Sequence, residues 1–387
     1  MHIGTREAAF AATALFFSAA SAFADLPVEH PGVVQIKPDN GHRLYIADKT
    51  PPAHAVDSKI RIIDGDDFSI LGQLTNGSFG SFSISADRKT LFDATSFFSR
   101  GDHGTRTEVL EYYDTTTLKP RSETLLLNKR AMSNQYSVFV VESAESKYLM
   151  LQNATPASSV SIVDLATKNL LSEIPTAGCF GIYASTKMPG RFSTLCGDGA
   201  AVTVDFDSAG KEIGRRRSAT LFDPEKDALF ISGVKMNDKT IFMSFLGNVH
   251  IIDFSGDVAT EETPWTFLDA KAKAAHWRPS GYSNIAYSSS DGQLYLGMHP
   301  DGQEGSHKTP AAEIWKVDVT AHRVTGRVKS GGANYMQVSK EAHPLLFTVN
   351  VTADIQGSIS RYDGDTLKLL GTSKPDLLEG GGPLWVE

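Results

Sequence analysis

Chemistry in this 387-residue chain would have to come from a small set of side chains: two cysteines, eleven scattered histidines and one basic triplet. Cys179 and Cys196 have 16 residues between them, a loop whose closure as a disulfide would contribute about 3 kcal/mol in the chain-entropy picture. The same pair could also share a metal ion or stay as buried thiols, and no Cys-x-x-Cys-His is present to anchor a haem. His299 and His307 flank one polar loop and offer two nitrogens, but no third ligand stands at a matching spacing, so no metal site is assigned. His54 falls in the loop segment Pro51-Pro-Ala-His54-Ala-Val-Asp57. There is no Gly-x-Ser-x-Gly elbow, phosphate loop, dinucleotide fingerprint or His-Glu-x-x-His, and no catalytic residue is assigned to this chain.

Composition narrows the classes further. Lys and Arg total 37 against 45 Asp and Glu, a net charge of −8, whereas nucleic-acid binding needs a basic face. The triplet Arg215, Arg216, Arg217 is too short to supply one and reads as a solvated loop. With 41% hydrophobic residues, the chain is neither disordered nor fibrous. Residues 1–24 read as a cleaved signal peptide: His2 and Arg6, an apolar stretch from Ala8 to Ala22, and Ala22-Phe23-Ala24 before Asp25. The stretch is shorter than the roughly 20 residues of a membrane span, so no membrane anchor is expected. Export to an oxidising compartment favours the disulfide reading of the cysteines.

The elements that would position these residues form a repeat. A strand-like run ending in Asp recurs as Lys59-Ile-Arg-Ile-Ile-Asp64, Glu108 to Asp114, Val160 to Asp164, Ala201 to Asp207, Asn248 to Asp253, Glu313 to Asp318 and Ser358 to Asp363. The mean spacing is about 50 residues, the size of a propeller blade. Further strand-like runs precede and follow these, among them Leu44-Tyr-Ile-Ala47 and Leu170-Leu-Ser-Glu173. A unit of three or four strands cannot bury both faces alone, so the units must stack radially. The expectation is an all-β, seven-bladed β-propeller over residues 25–387, each repeated Asp capping its turn through local hydrogen bonds. The interval from Asp253 to Asp318 is longer than the rest, 65 positions. It carries the helical stretch Leu268 to Ala275 and the loop His299 to His307, an insertion expected at a binding face.

Several segments resemble the heavy subunit of the bacterial quinoprotein amine dehydrogenases, closest to the aromatic (aralkyl) amine branch and related to the methylamine dehydrogenase heavy chain. They are Leu151-Gln-Asn-Ala-Thr-Pro-Ala157 running into Asp164, Ala177-Gly-Cys-Phe180 with Cys196-Gly-Asp-Gly199, Trp277-Arg-Pro-Ser-Gly-Tyr282, and Met298 to Lys308 leading to Trp315. The resemblance extends from about Leu44 to Leu370. It implies a periplasmic seven-bladed propeller with a Cys179–Cys196 disulfide and no cofactor of its own. Tryptophan tryptophylquinone would sit in a separate light subunit, within a tetramer of two heavy and two light chains. That assembly would deaminate a primary amine to aldehyde and ammonia and pass electrons to a blue copper protein of azurin or amicyanin type. In the family a Phe beside the substrate channel follows the first strand; the corresponding loop here runs from Asp48 to His54 and implies Pro52 or His54 as channel-lining residues. Two readings from other classes stand beside this one. One is a stand-alone exported propeller that binds a ligand without redox activity; the other is a propeller hydrolase of lactonase type, which would need a metal or carboxylate cluster in the central tunnel.

Overall fold

The computed structural model describes Gly32 and residues 34–49, 56–133, 135–281, 283–352, 356–382 and 384–386. The signal segment, Pro52 and His54 lie outside the described residues. The compact unit Gln35–Glu387 is an all-β propeller.

Burial on both sides explains its strands. Leu44, Tyr45, Ile46 and Ala47 are all fully buried, because successive side chains of a strand point to opposite faces and each face here has a neighbouring sheet. Tyr45 and Ala47 pack with Phe82 and Leu91 of the second sheet, whereas Leu44 and Ile46 pack with Phe347 and Val349 at the end of the chain. Mixed clusters of this kind continue around the molecule. Phe92 and Leu110 join Leu149, Tyr183 and Phe242; Ile241 and Val249 join Leu296 and Trp315; Tyr295 and Ile314 join Met336 and Leu346. The packing therefore closes on itself as a ring.

The hydrogen-bonded sheets number six among the described residues, not seven separate ones. The reason is the strand Arg323–Val338, 16 residues long: Arg323 to Lys329 pairs with Ala311–Asp318, and Tyr335 to Val338 pairs with Leu345–Val351. An array of five strands and one of four thereby share one continuous strand in an eight-stranded sheet. The first sheet is completed by the last strand of the chain, Leu384–Val386, against Arg43–Asp48.

All seven repeated aspartates receive backbone N–H groups from the turns they precede. Thr116 and Thr117 donate to Asp114 Oδ1 at 2.8 Å, and Thr167, Ser255, Thr320 and Thr366 make the equivalent bonds to Asp164, Asp253, Asp318 and Asp363. Asp64 and Asp207 accept from Asp66 and Ala209. Burial alone would raise the Asp114 carboxyl, but the Thr117 and Thr116 amides and the Arg121 guanidinium outweigh it and hold it at about 2. Backbone donors likewise hold Asp164, Asp318 and Asp363 below the usual range. A carboxylate depressed in the folded state stabilises above its unfolded value of about 3.9, and that contribution is lost as pH falls through the folded value. The melting temperature is therefore expected to fall steadily from about pH 5 to about pH 2; a flat profile over that window in scanning calorimetry would remove the turn carboxylates as a source of stability.

The basic triplet is not a loop. It belongs to the outermost strand Glu212–Arg217, where Arg215 pairs with Glu212, Arg216 with Asp205 and Arg217 with Asp198. Alternation of exposed and half-buried residues along that strand let three consecutive arginines sit on a sheet edge.

Candidate functional site

Alternating strand direction sorts the connections to two ends of the ring. The Asp turns lie at one end. At the other lie the loops that leave Asp48, Arg100, Asn153, Cys196, Met243, His299 and Val351. Of the residues singled out in the sequence, the cysteine pair, His299 and His307 gather at this second end, while Pro52 and His54 lie outside the described residues.

Cys179 and Cys196 are bonded, their Sγ atoms 1.99 Å apart. Their strands, Cys179–Ala184 and Arg191–Cys196, are antiparallel neighbours and place the two residues opposite each other in the register. The turn after Cys196 is held tight by Gly199, at φ +82°, whose amide donates to Cys196 O at 3.0 Å. A Cβ there would stand 1.8 Å from Phe222 O, so only glycine lets the segment around Phe222 close over the turn.

Beside the disulfide opens a cleft of about 380 Å³ lined by Phe180, Leu195, Phe222, Leu229 and Ile231 with the two cysteines. Tyr183 supports it by donating its hydroxyl to Ile231 O at 3.2 Å. Phe180 was visible in the sequence next to Cys179, but Phe222, Leu229 and Ile231 belong to an irregular segment outside the repeat and carry no periodic signal. An apolar cleft with a covalently fixed wall suits an apolar side chain or an aryl group, not a charged ligand.

The insertion folds onto the same end. Asp269 caps the helix Ala270–Ala274 by accepting from Ala272 N at 2.7 Å, and Ala272 is buried with Phe267 and Leu268. Asp301 and Gly302 donate to the carbonyls of Ala275 and His276, which ties the helix to the loop after His299. His299 is buried, with Nε2 at 2.8 Å from Ser306 Oγ and Nδ1 without a partner. Burial keeps its pKa below the ordinary histidine value, and Arg278 adds to the effect. The His307 ring lies 6.0 Å from Phe230 and 6.2 Å from Phe245, so the two histidines take packing places at the edge of the insertion. Among the described residues no three His, Cys, Asp or Glu side chains are grouped to hold a metal.

The sequence matches the family described as methylamine dehydrogenase heavy chain over residues 40–370, the whole span of the repeat. The chain belongs to that family. Among its relatives, the methylamine dehydrogenase heavy chain of Methylophilus methylotrophus is 25% identical over 328 residues, 84% of this chain and 79% of that one. The heavy chain of Paracoccus versutus is 27% identical over 329 residues, covering 83% and 75%. Solved structures at lower identity share the fold alone. A dihydro-heme d1 dehydrogenase superposes with a TM-score of 0.54 at 14% identity, covering 92% of this chain and 77% of that one. A candidate 6-phosphogluconolactonase of Bacteroides fragilis superposes with a TM-score of 0.59 at 11% identity, covering 91% and 100%. In this amine dehydrogenase heavy-chain homologue no helix among the described residues is long and apolar enough to cross a membrane.

Proposed function

We propose that this chain is the heavy subunit of a periplasmic amine dehydrogenase, exported by cleavage after Ala24, with residues 25–387 forming seven blades when the eight-stranded sheet is counted as two. The observation that carries the reading is the family match across residues 40–370. The quinone, tryptophan tryptophylquinone, belongs to a separate light subunit and supplies the electron sink for oxidation of a primary amine to aldehyde and ammonia. The tryptophans of this chain serve packing, which supports that division. Trp265 stacks on His322 at 4.0 Å, and Trp315 donates Nε1 to Glu313 and lies under the Arg327 guanidinium.

The part left to the heavy chain is positional. Its loop end docks the light chain in a tetramer of two heavy and two light subunits, and Pro52 and His54 line the substrate channel. Electrons leave to a blue copper protein of azurin or amicyanin type. The substrate is a primary amine, with the aralkyl class as the reading from the motifs.

Purification from the native periplasm tests this. A co-purifying small, cysteine-rich chain and a quinone absorbance that bleaches on adding amine are expected, with tyramine bleaching it faster than methylamine. A colourless, lone propeller would sink the dehydrogenase reading; faster bleaching by methylamine would overturn the aralkyl assignment alone.

A further inference from the structure

The interface between the first two sheets holds charge that neither ring closure nor light-chain docking uses. Asp93 stands opposite Phe82 and Glu111 in the register and projects toward the first sheet, while its neighbours Phe92 and Ala94 face the third. It is 0% exposed, and neither carboxyl oxygen has a hydrogen-bond partner. Asn76 is also 0% exposed, with Oδ1 unpartnered. Lys49, just past the first strand, is buried and donates to Gly80 O at 2.9 Å, the carbonyl that Asn76 Nδ2 approaches at 3.4 Å. An ammonium has three donors, so two of those on Lys49 remain for other acceptors.

The other charged groups around this site have partners of their own, apart from the buried Arg130 Nε. Glu111 accepts the Tyr113 hydroxyl at 2.8 Å; Arg130 gives its terminal nitrogens to Ser78 O, Phe79 O and Ser96 Oγ; and Glu108 holds the Arg130 backbone amide. Three buried acceptor atoms thus lie in an interface whose unpartnered charged donors are the two left on Lys49 and Arg130 Nε. A buried polar group without a partner costs about 1–3 kcal/mol, and an ionised carboxylate far more. A proton on the carboxyl removes the charge, and an internal water, which bonds two to four polar groups, satisfies the rest.

We propose that Asp93 is a neutral carboxylic acid in the folded protein and shares a buried water with Asn76 Oδ1 and the Lys49 amine, an internal proton site between the first two sheets. Burial pushes the Asp93 carboxyl well above its usual range, with Glu111 adding to the rise and Arg130 and Lys49 opposing it. Burial, helped by Arg130, brings Lys49 down to about 7. A raised carboxyl stabilises fully below its unfolded value of about 3.9 and loses that contribution as pH rises toward the folded value. Between about pH 4 and 6 Lys49 stays protonated in both folded and unfolded chains, and Glu111, which burial also raises, contributes in the same sense, so the part due to Asp93 is read from the difference between wild type and Asp93→Asn.

The test is infrared spectroscopy of the purified chain, together with any subunit that accompanies it, at neutral pH. A protonated-carboxyl stretching band that shifts in D2O and disappears in Asp93→Asn is expected. The melting temperature of Asp93→Asn should gain on the wild type as pH is raised from 4 to 6, below the Lys49 titration. If Asp93→Asn does not fold, Lys49→Met serves instead: it should keep the band and carry it to higher pH. Crystallographic density for a water within hydrogen-bond distance of Asp93 and Asn76 is expected as well. Absence of the band at neutral pH, its persistence in Asp93→Asn, or a direct Lys49–Asp93 ion pair with no water would overturn the proposal. None of these outcomes depends on which amine is oxidised.

Discussion

Replacing Glu108 by alanine is expected to cost about 3–5 kcal/mol of folding stability, among the largest losses available to a single substitution in this ring. Glu108 is 0% exposed and accepts the backbone amides of Lys129 and Arg130 on Oε2 at 3.0 and 2.9 Å, while Ser96 donates to Oε1 at 3.3 Å. Its removal leaves two amides unsatisfied and takes from the buried Arg130 guanidinium the negative charge that most offsets its burial. Arg130 in turn joins the third sheet to the second by donating to Ser78 O and Phe79 O. Glu108→Gln keeps the volume but turns one acceptor into a donor, so roughly half the loss is expected from it. Urea denaturation of the two variants checks this: equal midpoints for wild type and Glu108→Ala would show that the carboxylate does not hold the segment between the sheets.

The second large effect concerns the seam of the ring. Asp48, at the end of the first strand, accepts the amides of Glu379 and Gly381 at 3.0 Å and the Arg61 Nε at 2.9 Å. The two amide bonds join residues more than 330 positions apart in the chain. The approach is close: a Cβ on Gly382 would lie 1.9 Å from Ala47 O. Asp48→Ala leaves two amides unsatisfied and the Arg61 guanidinium with Glu379 as its remaining carboxylate, and a loss of about 3 kcal/mol is expected. The loss should appear first at the seam, as faster hydrogen exchange in Leu384–Val386 than in the internal strands. Uniform exchange acceleration around the ring would falsify the clamp role and make Asp48 an ordinary core contact.

Local chemistry was readable along the chain because its causes are local. An Asp at the end of a strand finds its donors two or three residues ahead, as Asp114 does with Thr116 and Thr117. The helix cap at Asp269 is of the same kind. The disulfide was readable as a pairing but not as a place. Its role as the wall of a cleft depends on Phe222, Leu229 and Ile231, which the repeat does not contain and which reach the site only because Gly199 lets the chain close over the turn. The arginine triplet misled for a related reason: on an outermost strand polar residues meet solvent and each other's partners, so hydrophobic alternation, the usual mark of a strand, is missing.

What the sequence by itself determined is therefore the unit: strands apolar on both sides, turns closed by aspartate, a period of blade size and a ring as the only way to bury both faces. The tertiary structure alone decided how the units join. It runs one strand, Arg323–Val338, through two arrays, and it brings Leu384–Val386 back to the first strand under the Asp48 clamp. It also sets Asp93, Asn76 and Lys49 together in one buried interface. The physical reason is the range of the forces: turns and strand periodicity are set by neighbours a few residues away, whereas register between sheets, ring closure and the burial of charge depend on residues that only folding brings into contact.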